Sequence, residues 1–222
     1  MKWGWSLICK RRFRGIIFDM DNTLLSSRID FDRMKQEIFD FLVSKNLINQ
    51  ETVLDVHTVS TIIQKAKESR NYDDKANKQV WEIILDIEKE GMKDACLEPG
   101  VVDLLTKIYS NYILVVLTNN SNEAAVSALK EHTIDKYFDY IVTRDHVVEL
   151  KPSPGGVKNI LKKFDLKQKE WLLIGDSWID GRAAINGGIS FLAYKANEQE
   201  LKEKNIEYIG NINHIKEVFE FI

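Results

Sequence analysis

Short apolar runs alternate along this chain with longer stretches in which apolar residues recur every three or four positions. Gly15-Ile-Ile-Phe-Asp19 stays apolar until it ends in an acid, the texture of a strand buried on both faces of a parallel sheet. Similar runs lie at 112–117, 140–142, 171–174 and 190–194. Between them, Val102, Leu105, Ile108 and Tyr109 predict a helix behind Pro99-Gly100, and Val126 and Leu129 another after Ser121 and Asn122. Val157, Ile160, Leu161 and Phe164 predict a third, with Ser153 as N-cap and Pro154 as its first residue. Ile179, Ala183 and Ala184 predict a fourth, stopped by Gly187-Gly188. Strands alternating with helices of this length imply a parallel sheet covered on both faces, a doubly wound α/β fold.

Residues 25–97 break the alternation. Phe31, Met34, Ile38, Phe41 and Leu42 mark one amphipathic helix. Leu54, Thr58, Ile62, Ile63 and Ala66 mark a second, and Val80, Trp81, Ile84, Leu85 and Glu88 a third, separated by the charged segment 68–78. No β-like run is evident. The organisation expected is a core from 14–24 plus 98–222, an all-helical insertion over 25–97, and an N-terminal extension over 1–13. The extension holds a short apolar stretch followed by basic residues, the reverse of a secretory signal. It is expected to be loosely docked, with weak membrane-surface contact through Trp3 and Trp5 as the sharper alternative.

Composition narrows the function classes. Of 222 residues, 44% are hydrophobic and 29% charged, as in an ordinary globular protein. A formal charge of −3 gives no electrostatic footprint for nucleic acid. No run approaches the length needed to span a bilayer. Cys9 and Cys96 show no pairing pattern and fit a reducing, cytoplasmic setting.

In a parallel sheet, ligands bind beyond the carboxyl ends of the strands. The first strand is followed by Asp19-Met-Asp21-Asn-Thr23, the second by Thr118-Asn119-Asn120, and the third by Lys151-Pro-Ser-Pro. The fourth runs into Gly175-Asp176-Ser177-Trp-Ile-Asp180. Alone, Asp176 reads as a helix cap, Thr118 as a turn hydroxyl and Lys151 as a solvated lysine. Together they bring carboxylates, a lysine and a hydroxyl to one sheet edge, an inventory suited to metal and phosphate.

Phe18-Asp-Met-Asp-Asn-Thr-Leu24 resembles the DxDx[TV]L signature of the haloacid dehalogenase (HAD) superfamily. Thr118, Lys151 and Gly175-Asp-Ser-x-x-Asp180 match its second, third and fourth motifs in order, and the insertion lies where the family places a helical C1 cap. The pattern is similar to phosphoglycolate-phosphatase-like and β-phosphoglucomutase-like members. Asn stands at position 22, where relatives often have Gly, and tolerates positive φ.

The resemblance implies a phosphatase acting on a small phosphorylated metabolite. Asp19 would be the nucleophile and Asp21 the general acid and base. Mg²⁺ would be held by the Asp19 and Asp176 side chains and the Asp21 carbonyl, with Asp180 outside the direct ligands, near a metal-bound water. Lys151, Thr118 and the backbone N–H of Asn119 or Met20 would cradle the phosphoryl oxygens, and Lys151 would keep Asp19 ionised. Arg28, Arg70, Lys65 and Lys67 are candidates for the distal part of the substrate, or else solvated helix faces.

Other chemistries find less support. Relatives that cleave carbon–halogen bonds usually lack an acid at position 21. The stretch at Gly175 lacks the closing glycine of a nucleophile elbow. His57, His132, His146 and His214 have no ligand spacing, and no P-loop or GxGxxG occurs. A phosphomutase and a non-catalytic, phosphorylatable receiver-like switch stay open as alternatives.

Overall fold

In the computed structural model of the chain, residues 12–222 are described. Trp3, Trp5, Cys9 and most of the expected extension lie outside them. Phe13 does not belong with that extension, because it is fully buried in the core.

Six parallel strands form the central sheet in the order β5-β4-β1-β6-β7-β8. They are β1 (Gly15–Phe18), β4 (Ile113–Leu117), β5 (Tyr140–Val142), β6 (Trp171–Gly175), β7 (Ser190–Tyr194) and β8 (Asn211–Ile212). β1 is central: Phe18 lies opposite Val116 on one side and Ile174 on the other. The chain builds outward from β1 through β4 and β5, then crosses to β6 and continues to β8, so the direction of winding reverses beside β1. This is the crevice position at which α/β sheets bind ligands.

Strand alternation divides the core in two. Ile16, Phe18, Leu114, Val116, Leu172 and Ile174 face one side, under α4 (Val101–Ile108) and α5 (Asn122–Glu131). Ile17, Val115, Leu117 and Leu173 face the other, under α6 (Gly155–Lys163) and α7 (Trp178–Gly187). A short α8 (Glu198–Glu203) adds Leu201 to the second layer. Burial of β1, β4, β6 and β7 on both faces explains why these runs read as continuously apolar.

Local details depart from the sequence reading where capping and packing decide. The buried face of α4 is Val101, Leu104, Leu105 and Ile108, while Val102 and Tyr109 are exposed. Helix α6 starts one residue later than expected: Pro154 is the N-cap, and the Ser153 hydroxyl donates to Glu149 instead. Gly188 terminates α7 with φ +73°, as its position suggested.

The inserted segment contains α1 (Phe31–Ser44), α2 (Val59–Lys67) and α3 (Asp74–Met92). Asp73 caps α3 by accepting from the Ala76 N–H, so helix replaces the second half of the expected linker 68–78. Leu54 lies in a separate 3₁₀ turn rather than in α2. The segment is not free of β structure: β2 (Leu25–Ser26) pairs antiparallel with β3 (Cys96–Leu97), so both connections to the sheet run side by side. These strands are two residues long, too short for an alternating pattern. No helix among the described residues is long and apolar enough to cross a membrane.

Gly91, near the end of α3, lies against the incoming connection. A Cβ there would stand 2.5 Å from the Ile29 backbone, and the Gly91 carbonyl accepts from the Arg28 N–H. Backbone cannot yield as a side-chain tip does. Gly91→Ala should therefore lower stability by about 1–3 kcal/mol in urea unfolding; an unchanged midpoint would show that the connection shifts without cost.

Candidate active site

The loop after β1 folds back on itself. The Leu24 and Leu25 N–H groups donate to the Met20 carbonyl, and the Asn22 N–H donates to Leu25 at 2.6 Å. This turn requires a left-handed residue, and Asn22 supplies φ +56°. It leaves Asp19 and Asp21 at the sheet edge, 6% and 8% exposed.

Lys151 is buried beside them. Its ammonium donates to Asp19 Oδ1 (2.5 Å), Asp180 Oδ1 (2.6 Å) and the Leu117 carbonyl (3.0 Å). Two strand ends and the first turn of α7 thus meet on one cation. The Asn119 side chain holds the lysine's backbone from both sides, accepting from its N–H and donating to its carbonyl, each at 3.0 Å. The Ser60 hydroxyl of α2 donates to the same carbonyl at 3.1 Å. Asp180 is fixed in turn at the start of α7, where its Oδ2 accepts from the Ser177 hydroxyl and N–H. The cap of α7 is therefore Ser177 with Asp180, which leaves Asp176 free for other work.

Thr118 is buried, and its hydroxyl accepts from the Asn120 N–H at 3.1 Å. Asn120, whose side chain had no expected role, donates to Asp21 Oδ2 at 2.7 Å. The other oxygen of Asp21 has no protein partner.

Electrostatics follow from burying acids together. Burial pushes the Asp19 carboxyl well up, Lys151 opposes, and Asp180, Asp176 and Asp21 raise it further. Burial also raises Asp21, opposed by the nearby Ser27 hydroxyl, which is not within hydrogen-bond geometry of it, and by the Asn120 amide. Asp176 is pushed up to about 7, by burial and then by Asp180. Burial by itself would lower the Lys151 ammonium, but Asp180 and Asp19 outweigh it and hold it above the usual lysine range.

Asp19, Asp176 and Asp180 each offer a carboxylate oxygen, all within 4.8 Å of one another. An all-oxygen set with repelling buried charges fits a hard divalent cation. Both oxygens of Asp180 already serve Lys151 and Ser177, so Asp19 and Asp176 are the better-placed ligands.

These residues line the floor of a cavity of about 560 Å³ whose other wall is built by the inserted helices, with Met34, Lys35, His57, Trp81 and Glu88 among its lining. Arg28 and Arg70 are not part of that lining. Arg28 points to solvent beside Asp94, and Arg70, Lys65 and Lys67 are exposed, as solvated helix faces are. Glu88 is fully engaged: it pairs with Arg144, accepts weakly from the Ser121 N–H at 3.4 Å, and is pushed up to about 7 by burial against the pull of Arg144. Its one sequence signal was an acid completing the apolar stripe of α3; Arg144 and Ser60 carried none.

The family model described as "Haloacid dehalogenase-like hydrolase" matches residues 16–194. A phosphoglycolate phosphatase of Vibrio parahaemolyticus is 27% identical over 207 residues, covering 88% of this chain and 91% of its own. An uncharacterized hydrolase of Saccharomyces cerevisiae is 24% identical over 96% of this chain and 92% of its own. The crystal structure of a "predicted phosphoglycolate phosphatase" from Haemophilus somnus superposes with a TM-score of 0.65 at 21% identity, covering 95% and 98% of the two chains. At that identity the structure shows a shared fold.

The raised acids set a direction for stability against pH. Asp176, near 7 when folded against an ordinary value of 3.8, retains a proton that the unfolded chain has released. Stability of the metal-free protein should thus fall as pH rises from about 4 to about 7, then level off. Thermal unfolding in chelator between pH 5 and 8 checks this, with Asp176→Asn expected to flatten the slope. A midpoint that rises with pH would contradict it.

Proposed function

Because the chain belongs to the haloacid dehalogenase-like hydrolase family, we propose that it is a Mg²⁺-dependent phosphatase of a small phosphorylated metabolite, working through a phosphorylated Asp19. The observation that carries this reading is the buried Lys151 ammonium bonded to Asp19 at the floor of the cavity, with Asp21, whose carboxyl burial raises, alongside.

An Asp19 oxygen attacks phosphorus in line, the bond to the leaving oxygen breaks, and Asp21 gives that oxygen its proton. Asp21, now ionised, takes a proton from water. The water oxygen then attacks phosphorus, and Asp19 is released with inorganic phosphate. Lys151 favours the ionised Asp19 in a site where burial opposes charge, and with the Thr118 hydroxyl and the Asn119 N–H it faces the phosphoryl oxygens. When bound between Asp19 and Asp176, with the Asp21 carbonyl as a further donor, Mg²⁺ would offset the crowded negative charge and polarise the phosphoryl group. Asp180 positions Lys151 rather than taking a direct part.

We read 25–97 as a cap over the site and 14–24 with 98–222 as the catalytic core. The cap contributes apolar walls at Met34 and Trp81 and a lysine, Lys35, to the cavity. Relatives named phosphoglycolate phosphatase support a small phosphomonoester as substrate. A receiver-like switch is disfavoured by Asp21, since an acid beside the phosphoacceptor promotes turnover.

Phosphate release from a panel of phosphorylated metabolites tests the proposal. Mg²⁺-dependent turnover is expected from the wild type, and Asp19→Asn should abolish it. Asp21→Asn should lower kcat by about 10²–10⁴. Activity indifferent to Asp19→Asn would refute the assignment.

A further inference from the structure

A buried ion pair ties the helical insertion to the core. Glu88 of α3 pairs with Arg144, from the 3₁₀ turn after β5, and both side chains are more than nine-tenths buried. The Arg144 guanidinium also lies over the Trp81 ring of α3, 4.9 Å from its centroid. Two charges removed from water need such complete partnering to persist.

The pair grips the segment that holds Asp21. The Arg144 N–H donates to the Asn120 carbonyl at 3.1 Å, and Glu88 Oε2 accepts weakly from the next N–H, that of Ser121, at 3.4 Å. Asn120 thus has its carbonyl bonded by the Arg144 backbone and the following amide weakly bonded by the Glu88 side chain, while its side-chain amide donates to Asp21. We propose that Glu88 and Arg144 form a latch that registers the seating of the helical insertion on the core and, through Asn120, sets the orientation of Asp21. Glu88 and Arg144 are positioning residues. They touch neither Asp19 nor Lys151, and the latch makes proton donation dependent on a closed cavity, so the leaving group is expelled only when bulk water is shut out.

This inference rests on Asp21 acting as the acid, and leaving-group dependence separates it from a merely structural pair. p-Nitrophenyl phosphate has a leaving group that needs little protonation; an alkyl phosphate turned over by the wild type needs it. Glu88→Gln keeps the side-chain shape, and the double variant Glu88→Gln/Arg144→Met leaves no unpaired buried charge if the single variant folds poorly. Both should lose tenfold or more in kcat/KM, on the order of a general-acid contribution, for the alkyl ester, and under threefold for p-nitrophenyl phosphate. Arg144→Met should move the ratio in the same direction as Glu88→Gln.

Equal losses on both esters overturn the latch, as do opposite shifts in Glu88→Gln and Arg144→Met, which would show charge acting on Asp21 through space. The Asn120 side-chain amide resonance gives a readout independent of turnover: it should shift in each variant, and an unmoved resonance overturns the proposal. A wild type that hydrolyses neither ester sinks the phosphatase reading, and the Asn120 resonance then decides the latch alone.

Discussion

A single buried ammonium organises this site. Lys151 draws the end of β1 through Asp19, the end of β4 through the Leu117 carbonyl, and the start of α7 through Asp180 onto one point. Burying that cluster costs free energy, and stripping out one member would leave unpaired charge, typically worth about 3–5 kcal/mol. The surrounding bonds have no freedom to be approximate. Asn119 and Ser60 clamp the lysine's backbone, and Ser177 clamps Asp180.

The same arrangement gives two neighbouring aspartates different environments. Asp19 faces a permanent cation, whereas Asp21 faces a neutral amide and keeps one oxygen without a protein partner. In the proposed chemistry, that difference assigns attack to one and proton transfer to the other. The residual charge crowding, which raises Asp176, is what a divalent cation would offset in the proposed chemistry, and it ties that chemistry to the stability of the fold.

Much of this was legible in the sequence because it sits in short, contiguous signals. Five of the six sheet strands announce themselves as apolar runs; β8 does not, because two residues, Asn211 and Ile212, carry no pattern. Asp19, Thr118, Lys151 and Asp176 line one cavity because each follows a strand of one parallel sheet. What escaped is side-chain reciprocity across distance. Glu88 and Arg144 lie 56 positions apart, and Asn120 and Asp21 lie 99 apart; neither pair leaves a local trace. Arg28 and Arg70 were plausible by charge alone, and charge on a helical segment usually means solvent.

In the proposed chemistry, Lys151 holds Asp19 as the group that takes the phosphoryl. Acid quenching during turnover, borohydride reduction and peptide mapping address it directly, since reduction converts an aspartyl phosphate to homoserine. Homoserine is expected at position 19 in the wild type and should be lost in Lys151→Met. Homoserine at another aspartate, or none at all during sustained hydrolysis, would contradict it.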